Sequence, residues 1–179
     1  MGQPNPSLTF RPWQKGDEEA LAALANNRKI WRNLTEGFPH PYRIEDAVSW
    51  IRYARSRRSG ETALAVLVDG QIAGGVGFRR QADLSSRTAV IGYWLGEPYW
   101  GRGIATRALM HATHQAFQNF DFVRLEAGVL EWNPASRRVL EKAGYSLEVR
   151  HAKRIFKDGQ VCDEFLYVLL RDDWNPPGE

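Results

Sequence analysis

Apolar positions follow two periods along the chain, close to 2 in some stretches and to 3.6 in others, and each change of period marks a new element. Leu8, Phe10 and Pro12 alternate with Thr9 and Arg11, which predicts a short edge strand that tolerates its proline. Asp17 stands where it can cap a helix with Leu21, Leu24, Ala25 and Arg28 on one face. Between Ile30 and Tyr42 the periodicity fails at Asn33, Gly37, Pro39 and Pro41. The same segment holds Trp31, Leu34, Phe38 and Tyr42, too much apolar surface for a plain solvent loop, so it packs on the core or lines a pocket. A second helix carries Ala47, Trp50, Ile51 and Ala54 at helical spacing. It closes with Arg52, Arg55, Arg57 and Arg58, cations suited to a helix C-terminus and expected to form a solvated face.

Two strands follow, Ala63 to Val68 and Gln71 to Phe78, joined by the hairpin signal Asp69-Gly70. Gly74, Gly75 and Gly77 predict a bulge or a close approach in the second. After a polar turn at Asp83 to Ser86, Thr88 to Leu95 reads as a third strand. Ala105, Ala108, Leu109, Ala112 and Ala116 form a narrow small-residue helix face that can lie close on a sheet. Val123, Leu125, Ala127 and Val129 alternate as a strand face. Asn133-Pro134 supplies an N-cap and a first helical residue, and Gly144 the stop. Tyr145 to Phe156 and Val161 to Leu170 pair across Asp158-Gly159. The expectation is one α/β domain over residues 8–174, with loose ends at 1–7 and 175–179.

Composition narrows the class. A chain of 179 residues can bury a sizeable core as one domain. No apolar run approaches the ~18 residues of a membrane span, and Met1 to Ser7 lacks a signal-peptide layout. The single cysteine, Cys162, cannot form an internal disulfide, so a cytoplasmic protein without a membrane partner is expected. The net charge of +3 favours anionic partners. His111 and His114 lack the spacing of a zinc site, and no metal is expected.

The chemistry concentrates at Trp100 to Thr106, a glycine-bearing turn between the third strand and the small-residue helix. The first turn of a helix leaves about four N–H groups without intrahelical partners, and the helix dipole adds partial positive charge there, so the turn is a phosphate seat. Gly-Lys-Ser/Thr is absent, and Thr106 stands where a dinucleotide fingerprint needs Gly or Ala. Trp100, Gly103 and Ala105 instead occupy the marked positions of Gln/Arg-x-x-Gly-x-Gly/Ala, with Trp in the leading place.

That pattern resembles the pyrophosphate loop of the GNAT acetyltransferases. The resemblance extends to Ile91-Gly92-Tyr93-Trp94-Leu95, to Asn133-Pro134-Ala135-Ser136 with Glu141 to Tyr145, and to Phe38-Pro39-His40-Pro41-Tyr42. These strings are similar to the branch of ribosomal-protein N-terminal acetyltransferases. The resemblance implies a GNAT fold, a mixed and mostly antiparallel central sheet flanked by helices, and transfer of an acetyl group from acetyl-CoA directly to an amine. It implies that Gly101, Arg102, Gly103, Ile104, Ala105 and Thr106 hold the pyrophosphate, that Trp94 and Leu95 pair through their backbone with the pantetheine arm, and that Asn133 lies near the thiol. Ser136 is the implied acid for the departing thiolate. Ser136 takes that part because Leu140 stands where many members have the Tyr acid, and Glu126 and Asp163 are candidate bases because Val90 stands where the family often has Glu. Trp31, Asn33, Phe38 and Tyr93 are candidate walls of the acceptor entry.

The acceptor is expected to be a small-molecule or peptide amine, and the chain a monomer or homodimer. A lysine-like amine with pKa near 10.4 is neutral in about one molecule in ~2,500 at pH 7, whereas an α-amino group near 7.8 gives up only about 1 kcal/mol, so a strong base matters mainly for the former. Two other functions stay open from sequence. A non-catalytic CoA-binding sensor fits Val90 and Leu140, and a nucleic-acid binder fits only the basic charge, without basic–aromatic stacking motifs, so no nucleic-acid partner is expected.

Overall fold

The structure is a computed structural model and describes residues 7–56 and 59–176. Its centre is a seven-stranded sheet in the order β1-β2-β3-β4-β5-β7-β6. The strands are β1 (Leu8–Pro12), β2 (Glu61–Val68), β3 (Gln71–Arg80), β4 (Thr88–Leu95), β5 (Arg124–Leu130), β6 (Ser146–Lys157) and β7 (Gln160–Leu170). The helices are α1 (Glu18–Ala25), the single turn α2 (Arg28–Trp31), α3 (Ile44–Arg55), α4 (Ile104–Asn119) and α5 (Pro134–Lys142). All neighbouring strands are antiparallel except β4 and β5.

Strand alternation sends side chains to two cores. Val66, Val76, Ile91 and Leu125 face α4 and α5, where Leu109, Ala112 and Leu140 complete one cluster. Ala65 and Leu67 face α1 and α3, where Trp13, Leu21, Ala47 and Ile51 complete the other. The small-residue face of α4 sits on the sheet as expected, with Ala108, Ala112 and Ala116 buried. A bulge does occur in the β2–β3 pair, between Val66 and Leu67. Gly74 and Gly77 answer close approaches instead: a Cβ on either would collide with the backbone carbonyl of Trp94 or Thr62.

Several expectations are corrected. Ser7 is not loose: its N–H donates to Asp69 Oδ1 (2.9 Å) and its carbonyl accepts from Asp69 N (2.9 Å). Residues 1–6 and 177–179 lie outside the described residues, as do Arg57 and Arg58. Arg28 does not continue α1; Asn27 interrupts it, accepting from Lys29 N to cap α2. Val123 precedes β5 and is 39 % exposed.

Asp17 precedes α1 but makes no side-chain cap bond. The guanidinium of Arg11 grips it with two bonds of 2.7 and 2.8 Å, and Gln14 N donates a third at 2.9 Å, at a site where Asp17 is only 8 % exposed. The Arg11 bond, helped by that of Gln14 and opposed by burial, holds the carboxyl below its ordinary range. A depressed folded pKa means that the stabilisation is full above the unfolded value near 3.9 and is lost as pH falls through the folded one. Asp17→Asn should therefore cost about 2–3 kcal/mol at pH 7 by leaving Arg11 half-paired. Denaturant midpoints of the two proteins should converge as pH is lowered below about 4.

Candidate active site

β4 and β5 touch only at their starts, where Thr88, Ala89 and Val90 pair with Arg124, Leu125 and Glu126. From Ile91 onward β4 is bonded only to β3, so the two parallel strands splay into a cleft. Backbone direction alternates along a strand, and two bonds fix its phase. Gly96 N donates to Ala73 O, and Gln81 N to Thr88 O, so even-numbered β4 peptides face β3. The peptides of Tyr93 and Leu95 consequently face the cleft. Trp94, expected to pair with the cofactor through its backbone, has its peptide turned to β3, and its indole lies on the α3 face. Leu95 does face the cleft, and its carbonyl already accepts from Trp100 Nε1 at 2.8 Å.

At the wide end of the cleft lies the turn into α4. Gly101 and Gly103 have φ of 73° and 72°, left-handed values that glycine adopts freely, and a Cβ at either would meet nothing within 4 Å. Gly103 is the N-cap and offers no side chain, so no cap competes for the first N–H groups of a 16-residue helix. Ile104 is buried and anchors the turn, while Arg102 lies over the Tyr99 ring at 5.9 Å. Open space above uncapped donors with a dipole behind them fits a diphosphate.

Across the cleft stands the N-terminus of α5. Asn133 caps it by accepting from Ser136 N (3.2 Å). Tyr93 points away from α3 and reaches this turn: its hydroxyl lies 2.9 Å from Ser136 Oγ and donates to Ser136 O at 3.2 Å. Burial, partly offset by the Ser136 bond, pushes the Tyr93 phenol up to about 12. The sequence makes Tyr93 a wall of the acceptor entry; the structure adds its hydrogen bond to Ser136, which joins β4 to α5 across 43 residues. Leu140 is fully buried and offers nothing to the cleft.

The two candidate bases are both engaged elsewhere. Glu126 sits at the apex of the splay, where one oxygen accepts from Gln81 Nε2 and the other from Arg124 (3.0 and 3.2 Å). Asp163 accepts from Lys153 N (2.8 Å) and from Arg150, and these bonds, the backbone one foremost, lower its pKa. Its structural task is the β6 bulge between His151 and Ile155, where Lys153 takes φ 52°.

On the opposite, α3 face of β3 and β4 lies a cavity of about 810 Å3. Phe38 and Tyr93 are among its lining, and Phe38 meets Trp94 edge-on at 5.7 Å. Trp31 and Asn33 are not in that lining. Trp31 stacks on His40 and lies under Lys157 Nζ (4.0 Å), fastening the aromatic loop to the β6–β7 hairpin. Asn33 donates to Lys29 O (2.9 Å), and its Oδ1 is buried without a hydrogen-bond partner. Arg28 to Asp158 (2.8 Å) and Lys29 to Glu97 hold α2 between the hairpin and the turn before Trp100. Among the described residues no His, Cys, Asp and Glu cluster could hold a metal ion, and no helix is long and apolar enough to cross a membrane.

Residues 7–146 match the family model of the acetyltransferase (GNAT) domain. YdaF of Bacillus subtilis (strain 168), whose name provisionally assigns it as a ribosomal N-acetyltransferase, is 28 % identical over 95 % of this chain and 94 % of its own. RimJ of Mycobacterium smegmatis, solved with CoA-disulfide, superposes with a TM-score of 0.83 at 24 % identity, over 93 % of this chain and 83 % of that one. The microcin C7 self-immunity acetyltransferase MccE, solved with acetyl-CoA and AMP, gives 0.77 at 26 % identity over 91 % and 92 %.

Proposed function

Because the chain belongs to the GNAT acetyltransferase family, we propose that it is an N-acetyltransferase that moves the acetyl group of acetyl-CoA directly to a primary amine, with no acyl-enzyme stage. The observation that carries this reading is the cleft itself, with glycine-turn donors at its wide end, the peptides of Tyr93 and Leu95 along one side and Ser136 on the other. Acetyl-CoA, when bound, supplies an acyl carbon joined to sulfur, a leaving group far better than an amine. The N–H groups at Gly103 to Thr106 receive its diphosphate, and the cleft-facing edge of β4 takes the pantetheine arm. A backbone N–H there can stabilise charge developing on the acyl oxygen, a contribution worth several kcal/mol in enzymes generally.

The nitrogen–carbon bond forms as the carbon–sulfur bond breaks, and the electron pair leaves on sulfur. When the Tyr93 proton turns from Ser136 O to Ser136 Oγ, the serine hydroxyl keeps its own proton to donate in a hydrogen bond to that sulfur. The ammonium proton passes to solvent, since Glu126 and Asp163 are both spent on structural pairs. With no base in the site the acceptor must arrive already neutral, so an alkylamine of high pKa is turned over faster as pH rises. The test is release of CoA thiol from acetyl-CoA in the presence of a panel of primary amines, with acetylated product identified by mass. We expect amine-dependent release, with kcat/KM rising with pH as the acceptor deprotonates and no alkaline fall up to about pH 10, because Tyr93 keeps its proton throughout that range. Saturable binding of acetyl-CoA without turnover of any amine would favour the sensor reading instead.

A further inference from the structure

The cavity on the α3 face has a floor stripped of side chains. Sheet register aligns Ala63, Gly77 and Gly92 in one row across β2, β3 and β4, all directed to that face. The next row toward the C-terminal end of β4 is Ala65, Gly75 and Trp94, and it is filled: a Cβ at Gly75 would stand 3.0 Å from the Trp94 indole nitrogen and 3.3 Å from Trp13. The row on the other side holds the long side chains of Glu61 and Arg79 and the branched Val90. Between these two ridges lies a trough one row wide. Its β4 end is open, since a Cβ on Gly92 would meet nothing within 4 Å and the residue is exposed. That end borders the edge of β4 that faces the cleft.

The roof is aromatic. Trp50 and Tyr53, one helical turn apart on α3, stack at 5.6 Å and are 38 % and 37 % exposed, although both line the cavity. Phe38 and Trp94 close the side nearest the cleft. Among the described residues the charged lining groups, Asp46, Glu61 and Arg79, lie on α3, β2 and β3, none on β4. A flat bare floor beneath aromatic rings suits a planar body, whose faces gain from stacking, more than a flexible chain. The carboxylate beside its β4 end, Glu126 next to Val90, is already spent on Gln81 and Arg124 and does not suit the second ammonium of a polyamine.

We propose that this trough is the acceptor subsite and takes an aromatic ring, so that the preferred acceptors are primary amines carried on a flat ring by a short arm that reaches the edge of β4. This rests on the acetyltransfer reading and names its acceptor class.

The test compares kcat/KM for tryptamine, spermidine and a serine-initiated peptide with saturating acetyl-CoA, in the wild type and in Gly92→Val and Trp50→Ala. Val is a good strand residue, and its side chain enters open space at position 92, so the variant is expected to fold and to keep its thermal stabilisation by acetyl-CoA. The expected result is at least ~10-fold preference for tryptamine, lost through KM in both variants. Equal turnover of spermidine or peptide, or an unchanged KM for tryptamine in Gly92→Val, overturns the assignment. Saturation-transfer NMR of tryptamine with the CoA-bound protein separates the two readings. Ring-proton transfer that disappears in Gly92→Val supports the subsite even if no amine is turned over, and no transfer overturns it. Absence of stabilisation by acetyl-CoA in the wild type counts against the acetyltransfer reading instead.

Discussion

Gly103→Glu is expected to abolish stabilisation by acetyl-CoA and, with it, turnover. For the wild type, a ligand at ~100 times its dissociation constant should add about 2.7 kcal/mol, a rise of roughly 5–10 °C in Tm for a domain of this size. Two effects act on the variant. A side chain at φ 72° is strained by about 1–2 kcal/mol, which lowers the baseline Tm. The new carboxylate also occupies the space above Ile104 to Thr106 that a diphosphate needs, and repels it. Gly103→Ala carries the strain without the charge, so it should show a lower baseline and a smaller but present ligand shift. Differential scanning fluorimetry over an acetyl-CoA titration reads both. A full shift in Gly103→Glu would remove the α4 N-terminus as the diphosphate seat.

The elements with regular periods were legible because local pattern determined them. β4 occupies the expected Thr88 to Leu95, and the hairpins at Asp69-Gly70 and Asp158-Gly159 turn where the glycines stand. The glycine turn, too, could be found from letters, since the need for left-handed φ restricts the residue. What depends on the third dimension could not. The alternation that turns Trp94's peptide to β3 and Leu95's to the cleft follows from the phase of the β3–β4 ladder, which no residue type encodes. Glu126 and Asp163 are acidic residues on plausible strands, but Arg124 and Gln81 engage the first and Arg150 and Lys153 the second. Whether a carboxylate is a base or a strut is decided by its neighbours across the sheet. The row of Ala63, Gly77 and Gly92 was equally hidden, since it exists only once three strands are in register.

Ser136→Ala is expected to lower kcat by about 10²-fold with little change in the KM for acetyl-CoA, the loss expected of a group that acts on the departing sulfur and not on binding. The helix survives the change, because Asn133 caps through Ser136 N and not through its hydroxyl. Tyr93→Phe removes the partner 2.9 Å from Ser136 Oγ while keeping the ring packed beside the α4-side core, so it should cost about 10-fold through loss of orientation alone. If the two hydroxyls act as one unit, the double variant should be hardly slower than Ser136→Ala, a non-additivity of about 1.4 kcal/mol. The pH profile gives a second readout. A phenol held at about 12 cannot produce an alkaline limb below pH 10, so the wild type and Tyr93→Phe should share one profile displaced in height. Independent, multiplicative losses would instead separate the two residues, leaving Ser136 to act without Tyr93. Unchanged kcat in Ser136→Ala would move the donor to the sulfur elsewhere in the cleft.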